Sequence, residues 1–228
     1  MLTVAQAVAL RENPETLDQA LPAFQEILKD YESRGESTSD IWGHITICYK
    51  LMAQEASRPN KGELFQHALD AADSAFGQAS TPGAMAIARG HLAALMVATL
   101  DFGGAIDEGR HALADLPGSQ AHRAWVHNMI AQGYAGLGNN EEALHEIAVG
   151  EEALKTGHDE EMKQEDGPRK LAVWWAGLMI TKAQAHINLA NRGLAVSELK
   201  AVLDKEDPEG YIAHRKAEAQ EMLDAMGE

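Results

Sequence analysis

Ten histidines, a single cysteine and a few glycine-rich turns are the residues of this 228-residue chain whose types suit catalysis or metal binding. A metal site needs ligands at fixed spacing, and the chain has no HExxH, no CxxC and no two histidines four apart. No metal and no cofactor is therefore expected. The run His158–Glu161 (HDEE) lacks the ligand and glycine spacing of a calcium loop and reads as a solvated loop. Cys48 has no identifiable base beside it, and the isoleucines before it suggest a buried thiol. The pieces LDFGG and GLGNN lack both the lysine and the preceding strand of a phosphate loop, so they read as turns. No convergent catalytic set emerges, and the expectation is a non-enzyme.

Two other groups have chemistry of a milder kind. IWGHIT and ARGHLA place Gly43 before His44 and Gly90 before His91, where glycine either makes room for a bound chain or permits tight helix contact. Asn128 and Gln132 lie four apart, hence on one helix face, and Gln184 and Asn188 repeat that spacing. Amides carry both a donor and an acceptor and so match an extended peptide backbone; an ordinary polar face is the alternative. If the face is exposed, replacing Asn128 and Gln132 by Ala should cost little stability.

The elements that position these residues are helices. Few aromatics, seven prolines and no alternating β-branched run argue for an all-α chain. The stretch YAGLGNNEEAL (Tyr134–Leu144) reads as a hinge between two helices: Gly138 suits a left-handed closing residue, Asn139 or Asn140 a cap, and Glu141 and Glu142 the positive end of the next helix dipole. The hinge recurs. Small residues follow it at the same beat as Ala105 with Ala112 and Ala143 with Gly150, and the beat appears again as Ala68 with Ala75, Ala195 with Val202 and, more weakly, Ala20 with Ile27.

Upstream of the second copy, Trp42, Ile45, Thr46 and Tyr49 stand at the W-x2-L-G-x2-Y spacing. With Pro117 and Pro208 ending second helices, the chain resembles the tetratricopeptide repeat (TPR) family. The alanine spacings of 48, 37, 38 and 52 exceed the family's usual length of about 34, so the repeats are elongated, with extra residues over 53–63 and 155–170. His127 stands where the family has its tryptophan. The resemblance implies an α-solenoid of about five antiparallel hairpins, near residues 2–33, 39–78, 84–116, 121–156 and 169–206, in one domain over 1–228 with a capping helix over 209–226. It also implies a concave groove, and places Gly43, His44, Gly90, His91, Asn128, Gln132, Gln184 and Asn188 along it. The family's carboxylate clamp is absent from these positions.

The implied use is a protein- or peptide-binding module or scaffold; the alternatives are a regulatory protein that senses a peptide or metabolite, or a self-assembling scaffold. A net charge of −16 excludes a phosphate backbone or an anionic membrane as partner and points to a neutral or basic protein or peptide, with a homo-oligomer also open. The apolar stretches 84–100 and 172–190 are broken by Arg89, His91, Lys182 and His186, which a membrane span tolerates poorly. With no secretory pattern at the first residues, the expected location is cytoplasmic.

Overall fold

The computed structural model describes residues 2–54 and 60–228; part of the expected insertion over 53–63 lies outside the described residues. Among the described residues there are eleven α-helices, two short 3₁₀ turns and no strand. In order these are α1 (Val4–Glu12), α2 (Leu17–Arg34), α3 (Ser39–Gln54), α4 (Lys61–Gln78), α5 (Pro82–Ala98), α6 (Phe102–Asp115), α7 (Arg123–Gly136), α8 (Asn140–Glu161), α9 (Gly167–Asn188), α10 (Arg192–Asp204) and α11 (Ala213–Met226). The 3₁₀ turns are Pro14–Thr16 and Gln120–His122. Among them no helix is long and apolar enough to cross a membrane. The chain divides into two compact units, Met1–Pro117 and Gly118–Glu228.

The hinge read from the sequence is one backbone turn made three times. Leu100, Gly138 and Ala190 all adopt a left-handed backbone, with φ of 64°, 81° and 59°. The next N–H, of Asp101, Asn139 or Asn191, donates five residues back, to the carbonyls of Met96, Tyr134 and His186 at 2.9, 2.9 and 2.8 Å. This is the bond that satisfies an orphan carbonyl at a helix end, and the same three residues are the N-caps of α6, α8 and α10. Four residues on stand Ala105, Ala143 and Ala195, each fully buried, because a small side chain is what lets the two helices of a hairpin close up.

In the first unit α3 pairs with α4, α5 with α6, and α5 lies against both α3 and α4. Ala20, Phe24, Ile27, Ile41, Ile45 and Cys48 form its main core, while Ala68, Ala72 and Leu95 form a second. In the second unit α9 is central and contacts α7, α8, α10 and α11. Its core runs from Ala121 and Ile147 through Leu178 and Leu199 to Ile212 and Leu223. Gly150 packs closely there: a Cβ would stand 2.9 Å from a methyl of Leu178, which would have to shift.

Each of three hairpins also carries a cross-helix ion pair or hydrogen bond. Glu108, Glu146 and Glu198, equally spaced from the N-caps, meet Arg89 at 2.6 Å, His127 at 2.8 Å and Lys182 at 3.4 Å. His127, where the family pattern has tryptophan, is thus a partner for Glu146. Burial alone would depress the Lys182 pKa, but its bonds to Glu151 and Glu198 prevail and hold the ammonium above its ordinary value.

The run His158–Glu161, expected as a solvated loop, is instead the last turn of α8. Residues 155–161 continue α8, only 162–166 turn, and Gly167 opens α9. Glu161 is 4% exposed because Ser119 donates a short hydrogen bond to its carboxylate and the Lys170 ammonium lies 3.7 Å away. His158, Asp159 and Glu160 stay exposed on this last turn, so Glu161 is the one residue of the run that the fold takes out of water.

Candidate functional site

The eight residues expected along a groove fall four in each unit. In the first unit Gly43 and Gly90 are buried, and Gly43 has a definite packing role. A Cβ there would stand 2.3 Å from Cδ2 of His91, so the glycine of α3 is the socket for the imidazole of α5. Of the two readings of that glycine, close helix contact is the one the geometry displays.

His44 is held on four sides. Its ring stacks on Phe24 of α2 with centroids 5.0 Å apart and 20° between planes, and meets His91 edge-on at 5.8 Å. Nη1 of Arg11, on α1, lies 2.9 Å from its Nδ1, and Asp40 Oδ2 lies 3.7 Å from its Nε2. A guanidinium only donates, so Nδ1 is the acceptor in this contact, and Nε2 is the ring nitrogen on the side of Asp40. Arg11 is itself bonded to Glu12 at 2.5 Å, and both side chains are 9% exposed. Arg11 and Glu12 were not among the expected site residues. An adjacent Arg-Glu pair on a short N-terminal helix looks like surface charge until the fold brings His44 to it.

In the second unit Asn128 departs most from expectation. It is 3% exposed, and Oδ1 accepts a 2.7 Å hydrogen bond from the Thr181 hydroxyl of α9. The expectation that Asn128→Ala costs little therefore does not hold, because this amide joins α7 to α9. Gly177, one turn before Thr181, leaves space for it: a Cβ would stand 2.9 Å from Asn128 Nδ2. Asn188 is exposed, yet its Nδ2 donates to Asn140 Oδ1 at 2.8 Å and to the Ala135 carbonyl at 3.4 Å, tying the end of α9 to the α7–α8 turn. Gln184 is exposed and donates to Asn188 at 2.9 Å, while Gln132 is half-buried and makes no side-chain hydrogen bond among the described residues. Gln132 and Gln184 are the amides with most capacity left for a ligand.

Two tryptophans frame the start of this unit. The His122 ring stacks with Trp125 at 5.7 Å and with Trp174 at 5.2 Å, at interplanar angles of 16° and 11°. Trp175, on another side of α9, takes the Lys205 ammonium over its ring at 5.0 Å. Beside α7, a surface cleft of about 450 Å³ is lined by Arg123, His127, His145, Val149 and Glu152, among others.

Burial pushes the Cys48 thiol up to about 12, with Arg11 opposing and Glu12 adding to the rise, so the sulfur is a thiol at neutral pH and no nucleophile. Among the described residues no group of three His, Cys, Asp or Glu is placed to hold a metal ion. Family models, curated proteins and solved structures were all compared with the chain, and none matches.

Proposed function

We propose that the chain is a non-enzymatic, cytoplasmic binding module, a TPR-like α-solenoid whose groove holds a neutral or basic peptide segment of a protein partner. The observation that carries the reading is the hairpin turn made three times over, with Leu100, Gly138 and Ala190 left-handed and a buried alanine following each. Stacked hairpins offer wide, rigid surface, and such surfaces serve recognition. Of the amides on the first helices, Gln132 and Gln184 supply the backbone contacts, whereas Asn128 and Asn188 hold the helices that present them. The charge of −16 selects the partner's sign.

An array of extended peptides that differ only in net charge tests the reading. Neutral and basic members should bind, more weakly as salt rises, and Gln132→Ala with Gln184→Ala should weaken the best binder by about 0.5–1.5 kcal/mol per side chain at unchanged melting temperature. Preference for acidic peptides, or full affinity in the double variant, would overturn it.

A further inference from the structure

The chain contains a single Asp-Gly pair and no Asn-Gly pair, and that pair, Asp166–Gly167, stands at the turn from α8 into α9. An aspartate followed by glycine is open to attack on its own side chain, because glycine sets no Cβ beside the attacking backbone nitrogen. We propose that Asp166–Gly167 is an isoaspartate site held shut by the fold: the pair converts only when the α8–α9 turn opens, and the product cannot rebuild the closed turn. The inference is independent of whether the groove binds a peptide.

In the reaction the Gly167 nitrogen attacks Cγ of the Asp166 carboxyl, the N–Cγ bond forms, and the carboxyl hydroxyl leaves with the amide hydrogen as water. The product is a five-membered succinimide. Water then opens that ring at either carbonyl, and opening at the former main-chain carbonyl leaves isoaspartate, with the chain running through the side-chain methylene. Three features of the closed turn oppose the first step. Ring closure needs Cβ and the Gly167 nitrogen on the same side of the Cα–C bond, whereas the Asp166 ψ of 6° sets that nitrogen beside Asp166's own nitrogen. The Gly167 N–H is engaged by the Gln164 carbonyl at 3.0 Å. Both carboxylate oxygens accept from Arg169, at 2.6 Å from Nε and 2.5 Å from Nη2, so neither is free to take the proton with which it leaves. The glycine cannot simply be exchanged, since a Cβ at 167 would stand 1.8 Å from the Glu161 carbonyl oxygen. Isoaspartate adds a methylene to the main chain at this close contact and displaces the Asp166 carbonyl that accepts from the Lys170 N–H at 3.0 Å. The seat of Gly167 against Glu161, whose buried carboxylate Ser119 and Lys170 hold, is lost with it.

Incubation of the full chain at neutral pH, folded in buffer and unfolded in guanidinium chloride, tests this, with isoaspartate located by electron-transfer mass spectrometry. The unfolded chain should convert residue 166 ahead of every other aspartate. The folded chain should convert it at least about tenfold more slowly, since opening the turn breaks hydrogen bonds to a charged group, each of which holds an equilibrium by about that factor or more. Equal rates in the two states, or no conversion at 166 in the unfolded chain, would overturn the proposal. Arg169→Met releases the carboxylate and should speed conversion in the folded chain by about tenfold. A folded Arg169→Met protein that converts at the parent's rate overturns the gate. Should Arg169→Met not fold, the parent decides: as guanidinium is added below the unfolding transition, conversion that rises in step with hydrogen exchange of the Gly167 N–H supports the gate, and conversion independent of that exchange overturns it.

Discussion

Gly157→Ala is the sharpest probe of how the second unit closes around the run of charge at the end of α8. A Cβ at Gly157 would stand 2.0 Å from the backbone nitrogen of Ala121 and 2.9 Å from its Cα and Cβ. Ordinary contact begins at 3.4 Å, so α8 and the Gln120–His122 turn must part by about 1.4 Å. Backbone cannot rotate away as a side-chain tip does, and Ala121 is fully buried, so the cost falls at the upper end of the usual overpacking range of about 1–3 kcal/mol. Alanine's better helix propensity returns about 1 kcal/mol. The net expectation is a loss of about 2 kcal/mol, or roughly 10 °C in the melting temperature of a unit this size. Thermal unfolding followed by fluorescence reports on it, since Trp125, Trp174 and Trp175 lie in this unit. Gly193→Ala in α10 is the control: nothing lies within 4 Å of its Cβ position, and it should melt at or slightly above the parent. A Gly157→Ala protein that melts with or above the parent would refute the close approach of α8 to the turn.

Leu100 is left-handed and 72% exposed, so Leu100→Gly should stabilise the first unit by roughly 1 kcal/mol, and Gly138→Ala should destabilise the second by a similar amount in denaturant titrations. Asn128→Ala should cost about 1 kcal/mol, and Thr181→Val added to it much less than the sum, as a double-mutant cycle would report. The Cys48 thiol ionises near 9 when unfolded and near 12 when folded, so the folded state holds the proton more tightly; stability from this group is complete below pH 9 and is lost as pH rises toward 12. Cys48→Ala should flatten that alkaline limb in pH-dependent melts, and a disulfide reagent should label the parent only as fast as the first unit opens. Deleting 209–228 should lower stability and promote association, because Ile212 and Leu223 seal the last core; a truncated chain that stays monomeric with the parent's melting temperature counts against it.

Helices and hairpin turns were legible because their causes are local. The beat of Ala105, Ala143 and Ala195 after a turn is written in neighbouring residues, and the observed α3–α4 span of 39–78 coincides with the expected one. What escaped the reading depends on partners far along the chain. Asn128 looks like a surface amide because Thr181, which satisfies it, lies 53 residues away. Glu161 looks solvated because Ser119 stands 42 residues before it. Arg11 looks free because His44 reaches it only once α1, α2 and α3 are assembled. Polarity in a sequence tells what a group needs, and whether water or another helix supplies it is decided by the tertiary fold.

The order of helix contacts has a consequence for synthesis. Among the described residues, every substantial helix–helix contact joins helices no more than two places apart, as α3 with α5, α7 with α9 and α9 with α11. Contacts so close along the chain close short loops, and proteins built from them fold fast. A chain leaving the ribosome adds tens of residues over seconds, while a helical hairpin forms far more quickly. Each helix pair of this protein can therefore find its partners while the next is still being made, and no early segment has to wait, apolar face exposed, for the C-terminus to arrive.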